Sequence, residues 1–203
     1  MRRATGIVLA AVGVTLLALG CGTSDKGHVP TGPDTDIVMI TPFCDTSDVA
    51  SVNEAFSSTS SAPWGFAHPG IDFFPTQNLK PFRAVAAGTV DEFRLWQNGT
   101  NWQVNVGIRY NGTYTVGYSF EPFSAVGADG QSQLANMRVT SGQQIAQGDT
   151  IGYLYVVGGA AHVDFGLIKN NQRICPEAYF TPEARQAVLT VIRKTWPGAQ
   201  MCY

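Results

Sequence analysis

Short runs of alternating apolar and polar residues, each followed by a turn signal, most constrain the fold of this chain. Residues 102–110 read W-Q-V-N-V-G-I-R-Y, and the Asn111-Gly112 pair that follows is typical of a β-hairpin turn. Residues 114–120 continue the alternation beyond that turn. Alternating strands bury one face of a sheet and expose the other. The pattern therefore predicts an antiparallel hairpin near the centre of a β-rich domain.

Similar segments flank this hairpin, and a single segment is clearly helical. The strand-like segments are residues 82–86, 89–96, 151–157 and 161–168. Residues 182–195 have helical periodicity, with Thr181 as N-cap and proline in the first position. Residues 47–56 are compatible with a second, short helix. With 22 glycines in 203 residues, we expect a mainly β protein, an antiparallel sheet or sandwich with a C-terminal helix.

The N-terminus has the features of an export signal. Two arginines precede an apolar run at residues 7–19, which is too short to span a bilayer comfortably. The run ends in L-A-L-G followed by Cys21, which resembles the lipobox of bacterial lipoproteins. This resemblance implies that residues 1–20 are a signal peptide, that Cys21 is lipidated, and that the protein is exported and lipid-anchored to a membrane of the cell envelope. An ordinary secretory signal with a chance cysteine is the alternative.

The rest of the chain divides by composition. Residues 21–36 are rich in Gly, Pro, Thr and Asp and are expected to form a flexible tether, and residues 37–63 form an N-terminal extension. Because export permits disulfides, Cys175 and Cys202, which flank the C-terminal helix, are the preferred pair. Cys44 is then the odd thiol, although pairings through Cys44 remain open. The net charge of −2 gives no basic footprint for nucleic acid.

Two short motifs carry residues suited to chemistry. The first begins at His68 and ends at Asp72, and its Pro-Gly pair predicts an extended or bent segment. A bend at Gly70 would bring an imidazole and a carboxylate to one ion. In the second motif, His162 and Asp164 share a face of a predicted strand, about 7 Å apart at the backbone. Histidine and aspartate are both ordinary zinc ligands.

The motifs of this chain, taken in order and spacing, resemble the M23 (lysostaphin/LytM-type) zinc metallopeptidase domain. They are HxGxD at residues 68–72, V-A-A-G-T-V at 85–90, the Gly-punctuated hairpin at 139–152, HxD-F at 162–165 and C-P-x-x-Y-F at 175–180. The resemblance covers residues 64–180 and implies a β domain of the duplicated hybrid motif type. Residues 181–203 would be its C-terminal helix and tail.

The resemblance also implies roles for the site residues, together with two departures from the family. His68 and Asp72 match zinc ligands, and His162 matches a catalytic histidine. The third ligand position holds Asp164 instead of histidine, and Phe120 aligns where a second catalytic histidine follows Tyr-x. A second carboxylate makes the ion less positive and a weaker Lewis acid. Losing a positioned histidine lowers the rate by about 10²–10⁴-fold.

These departures leave several functions open. The first is an envelope lipoprotein with a catalytically impaired M23-like domain that binds peptidoglycan or regulates a cell-wall hydrolase. The alternative is an active zinc endopeptidase that cleaves cross-link peptides with a variant His/Asp/Asp ligand set. If no Zn²⁺ binds, His162 simply donates a hydrogen bond to an aspartate. A biotinyl/lipoyl-type carrier would need an attachment lysine at a hairpin tip, and no Met-Lys-Met sequence occurs. Aromatic residues that would line a groove or simply pack are Trp64, Trp96, Trp102 and Tyr155.

Overall fold

The computed structural model describes residues 36–203. The predictions for the signal peptide, for lipidation of Cys21 and for most of the tether lie outside these residues. No helix within them has the length and apolar character needed to span a membrane. The strands are β1 (Val49–Val52), β2 (Ile71–Pro75), β3 (Pro81–Arg83), β4 (Gly88–Asn98), β5 (Asn101–Arg109), β6 (Tyr114–Ser124), β7 (Gln144–Ile145), β8 (Thr150–Tyr153), β9 (His162–Lys169) and β10 (Gln172–Ile174). The helices are α1 (Gly127–Ala135) and α2 (Pro182–Thr195).

The strands form one large antiparallel sheet and one small one, which gives the mainly β fold predicted from the sequence. The large sheet has the order β1-β2-β9-β6-β5-β4-β7, with β10 paired to β9, and the small sheet pairs β3 with β8. The central β5–β6 hairpin was predicted from the alternation. At its turn the Asn111 side chain accepts hydrogen bonds from the backbone N–H groups of Thr113 and Tyr114, both at 2.9 Å.

One face of the β6–β9 pair forms the centre of the core. Tyr118 lies opposite Phe165 and Phe120 opposite Val163, and all four side chains are buried. Val163 and Phe165 of β9 therefore point into the core. Because side chains alternate along a strand, the intervening residues of β6 and β9 face the other way. That opposite face carries the polar residues of both motifs.

The C-terminal helix α2 has the predicted bounds. Thr181 caps it by accepting a hydrogen bond from the Ala184 N–H at 3.2 Å, with Pro182 in the first turn. Its buried face includes Val188, Val191 and Ile192. Cys175 and Cys202 form the predicted disulfide across α2. The described part of the chain contains no free cysteine, so the view of Cys44 as an odd thiol is wrong.

Two segments have a secondary structure that differs from the one expected from the sequence. Residues 47–56 do not form the expected helix, because a 3-10 turn at Thr46–Asp48 leads directly into β1. The β-branched Val49 and Val52 of this strand are both buried and pair with β2, so tertiary pairing outweighs the weak helical pattern. Conversely, α1 was not predicted, since its glycines and serine hide its helical character.

Candidate functional site

The two distant motifs meet where β2, β9 and β6 lie side by side. The antiparallel register places Asp72 of β2 directly opposite Asp164 of β9. On the other side of β9, Glu121 of β6 lies directly opposite His162. Donor atoms of His68, Asp72 and Asp164 lie within 4.8 Å of one another. The structure thus brings all four sequence-predicted site residues together.

The glycine of the first motif is required by close packing. A Cβ atom on Gly70 would lie 1.8 Å from Oδ1 of Asp164, so only glycine leaves room for that carboxylate. The carbonyl oxygen of Gly70 faces Nδ1 of His68 at 3.0 Å. This contact favours the tautomer protonated at Nδ1, which leaves the lone pair on Nε2. Nε2 lies 3.5 Å from Oδ1 of Asp72, so the bend predicted at Gly70 directs the imidazole toward the carboxylate.

His162 is oriented in the same way from the other motif. Its Nδ1 faces the carbonyl oxygen of Ala160 at 2.8 Å. Its Nε2 lies 3.7 Å from Oδ2 of Asp72 and 3.7 Å from Oε2 of Glu121. The ring stacks on Phe74, with centroids 5.0 Å apart. His162 is therefore held between two carboxyl groups with a nitrogen available to either.

The register corrects the alignment of Phe120 with a missing catalytic histidine. Phe120 is fully buried and packs edge-on against Phe82, with ring centroids 5.8 Å apart. The residue beside His162 is Glu121, which sequence reasoning missed. The alternation of side chains along β6 could have identified Glu121. Residues 118 and 120 point inward, so residue 121 shares the outward face with Asp164 and His162.

Arg173 is the second functional residue that sequence reasoning missed. Its Nη2 lies 3.2 Å from Oδ2 of Asp164, and its Nη1 lies 3.5 Å from Oδ1. The guanidinium lies across Gly166, where a Cβ would come within 1.9 Å of Nη1. Gly117 of β6 lies directly opposite Gly166, so two glycines make the groove for this side chain. Both oxygens of Asp164 are thus engaged by a cation of the protein itself.

Asp72, in contrast, lies in an environment short of positive charge. The residue is 7% exposed, and its Oδ1 has no hydrogen-bond partner within residues 36–203. Burial, and then the charges of Asp164, Glu54 and Glu121, raise the pKa of Asp72 to about 9. Burial also raises the pKa of Glu121, although nearby His162 lowers it in part. A cation placed here would favour the ionised carboxylates.

The donor set can be tested against the zinc ion that the resemblance implies. The oriented Nε2 of His68 and the unpartnered Oδ1 of Asp72 have the chemistry of zinc ligands. Arg173 contacts both oxygens of Asp164, but a carboxylate that accepts hydrogen bonds keeps lone pairs for a metal ion. The three residues therefore fit a divalent cation, although the positive charge of Arg173 beside Asp164 would weaken its binding.

His68, Asp72 and His162 line a cleft of about 370 Å³, together with Glu54, and its mouth is aromatic. Phe66 and Phe123 line it and are 48% and 50% exposed. Phe123 has a φ of 58°, a left-handed conformation that is strained for a bulky residue. The aromatic residues considered from the sequence do not line this cleft. Trp64, for example, packs against Tyr203 with ring centroids 5.4 Å apart.

Comparisons with known proteins support the fold only. No protein-family model matches this sequence, and no curated protein matches it. A structure of Csd3 from Helicobacter pylori has a TM-score of 0.52 and 19% identity, covering 77% of this chain and 40% of Csd3. A chain of the SpoIIIAH–SpoIIQ complex has a TM-score of 0.51 and 18% identity, covering 70% of this chain and 99% of its own.

A third similar structure is the catalytic domain of the M23 protein EnpA from Enterococcus faecalis. Its TM-score is 0.46 and its identity 19%, covering 64% of this chain and 90% of that domain. The present chain spans less than half of the length of the Csd3 chain. The described residues share the fold of the Csd3 chain and of the chain from the SpoIIIAH–SpoIIQ complex.

Proposed function

We propose that this chain is an exported lipoprotein of the cell envelope whose M23-fold domain binds peptidoglycan without cleaving it efficiently. The observation that carries the proposal is the ion pair of Arg173 with Asp164 at the third ligand position. An ion that bound there would share the carboxylate with a guanidinium held in a groove of two glycines. Repulsion between the two positive charges would weaken binding of the ion.

The charges of the cleft also oppose hydrolysis. Attack on a peptide carbonyl develops negative charge on oxygen, which needs hydrogen-bond donors or cations close by. Here Glu121 stands beside His162, where it adds another carboxyl group to those of Asp72 and Asp164. The cleft is therefore better suited to holding a ligand than to stabilising an oxyanion.

Binding is supported by the shape of the surface and by the sequence. An open cleft with half-exposed Phe66 and Phe123 offers apolar contacts to a peptide. The lipobox-like sequence ending at Cys21 would hold the domain at the envelope, close to the wall. A chain of this fold also occurs in the SpoIIIAH–SpoIIQ complex, which supports the related possibility that the partner is a protein such as a cell-wall hydrolase.

The test is a sedimentation assay with purified peptidoglycan sacculi, combined with chromatography of released fragments and mass spectrometry of bound metal. We expect the protein to sediment with sacculi, to release no fragments and to carry no stoichiometric zinc. Phe123→Ala should weaken sedimentation, whereas Val38→Ala, which removes an equally exposed apolar residue outside the cleft, should not. Failure to sediment would refute the proposal.

A second candidate is a zinc endopeptidase acting on wall peptides, because donor atoms of His68, Asp72 and Asp164 converge within 4.8 Å. These three residues would hold the ion, which when bound would polarise a scissile carbonyl and acidify a water molecule. His162 and Glu121 would be positioned to move protons. Stoichiometric zinc together with fragment release that His68→Ala abolishes would establish this function instead.

A further inference from the structure

We infer that the cleft recognises a primary ammonium group carried on an aliphatic chain, such as the free side-chain amino group of a diamino acid in a peptide. This inference rests on the proposed function, because it names the chemical class that the binding cleft selects. Three independent features support it: a buried carboxyl group with one oxygen that has no hydrogen-bond partner among the described residues, an aromatic mouth, and the exclusion of other ligand classes.

The buried carboxyl group is that of Asp72. Asp72 lines the cleft, and within residues 36–203 its buried Oδ1 has no hydrogen-bond partner, although buried polar atoms are almost always paired. Nε2 of His68 lies 3.5 Å from this oxygen. An ammonium group has three donors and no acceptor, so a single ligand nitrogen can donate to Asp72 and to Glu54, which also lines the cleft and is close enough to raise the pKa of Asp72.

The aromatic mouth fits the aliphatic chain and the charge of such a ligand. Phe66 and Phe123 present half-exposed rings, and a cation over a ring face is attracted by its quadrupole. Phe123 holds its ring there with a backbone conformation that is unfavourable for any residue with a Cβ. Strain of this kind is typical of positions kept for a ligand.

Other ligand classes fit less well. An anionic ligand would meet the carboxyl groups of Glu54, Asp72 and Glu121. A bare metal ion would share Asp164 with the positive charge of Arg173, and it would leave most of a 370 Å³ cleft unfilled. An ammonium group on a chain of several methylenes reaches the acids and also covers the rings.

The test titrates the full-length protein with Nα-acetyl-L-lysine methylamide, followed by NMR. The matched probe is the Nε-acetylated derivative, which has nearly the same shape but no charge. We expect the charged probe to bind at least about tenfold more tightly. Glu54→Gln, at a carboxyl group that lines the cleft, should weaken it about tenfold and Phe123→Leu by a smaller factor, with circular dichroism as the check on folding. Glu92→Gln, the same change at an exposed carboxylate of the same sheet, should have no effect.

Equal affinity for the two probes, or no binding of the charged probe, would overturn the inference. Zinc binding that the charged probe does not compete with would overturn it as well. Binding assays with sacculi distinguish a failure of this inference from a failure of the proposed function. If sacculi with chemically acetylated amines bind as well as untreated sacculi, the domain binds the wall but not through an ammonium group. If neither binds while the charged probe does, the cleft chemistry stands and the wall is not its ligand.

Discussion

The two ends of the β6–β9 pair use similar chemistry in opposite ways. At one end, called here the closed end, Tyr114 lies opposite Lys169. The Lys169 Nζ is 5.1 Å from the centroid of the Tyr114 ring and 5.9 Å from that of Tyr179. The Tyr114 hydroxyl donates to Oδ1 of Asp36 at 2.5 Å. At the other end, the open end, Glu121 lies opposite His162, and the nearby Oδ1 of Asp72 has no hydrogen-bond partner in the part of the chain that the structure describes.

The difference separates polar groups that serve the fold from those kept for a ligand. At the closed end the chain itself supplies an ammonium group, aromatic rings and a carboxylate, and they satisfy one another. At the open end, residues 36–203 supply acids and exposed rings, and no ammonium group lines the cleft. The closed end is thus an internal example of the contacts that we infer a ligand makes at the open end.

The largest effect is expected from Arg173→Gln, which removes the one cation at the open end that serves the fold. Asp164 would be left partly buried and without its guanidinium, which should lower the free energy of unfolding by about 3 kcal/mol. The freed carboxylate should also raise the affinity for zinc at least about tenfold. Urea unfolding and calorimetric titration measure the two effects. Arg185→Gln, which breaks an exposed ion pair with Glu177, is the control and should change neither.

The next effect has the opposite sign. The pKa of Asp72 rises from 3.8 to about 9 on folding, mainly through burial, so stability is lost as the pH rises from about 4 toward 9. Asp72→Asn should therefore be more stable than the parent protein by at least about 2 kcal/mol at pH 8, with little difference at pH 4. It should also abolish binding of Nα-acetyl-L-lysine methylamide, the lysine probe. A parent protein that is the more stable of the two at pH 8 would show that Asp72 serves the fold. Thermal unfolding at both pH values provides the measurement.

A smaller effect is expected at Phe123. Phe123→Gly relieves the left-handed backbone and should raise the free energy of unfolding by up to about 1 kcal/mol. Phe123→Ala removes the same ring but keeps the Cβ and the strain, so no gain is expected. Both variants should weaken the lysine probe about fivefold. A loss of stability in the glycine variant would mean that the ring packs for the fold and is not presented to a ligand.

The smallest effect is expected at the closed end. Lys169→Gln removes the ammonium group above Tyr114 and should cause a slight fall in the melting temperature. Binding of the lysine probe should not change, because the charge lies at the far end of the strands. Any change in the affinity for the lysine probe would show that the two ends are coupled. It would contradict the view that the closed end serves only the fold.

Much of this comparison was accessible from local sequence patterns. The cap and periodicity of α2 predicted its bounds, and the alternation along β5 and β6 predicted their hairpin. The HxGxD and HxD motifs pointed to His68, Asp72, His162 and Asp164, which the structure brings together. Each of these depends on residues close in sequence, where backbone sterics and capping groups act directly.

The errors arose where contacts between segments distant in sequence determine the structure. Phe120 was aligned with a catalytic histidine because the Tyr-x spacing ignores which face of β6 meets β9. Arg173 lies nine residues after Asp164, and no motif links them until the β9–β10 turn folds the chain back over Gly166. Residues 47–56 had a weak helical pattern, and pairing with β2 turned part of that segment into β1.

The sequence by itself determined the strand periodicity, the C-terminal helix and the residue types available for chemistry, because these follow from side-chain spacing along a single segment. Only the tertiary structure decided that Asp164 forms an ion pair while Asp72 does not. It also decided that Glu121 lies beside His162, where the family resemblance implies a second histidine. The reason is electrostatic: the state of a carboxyl group depends on its burial and on charges within a few ångströms. In a β protein those charges come from strands far apart in the chain.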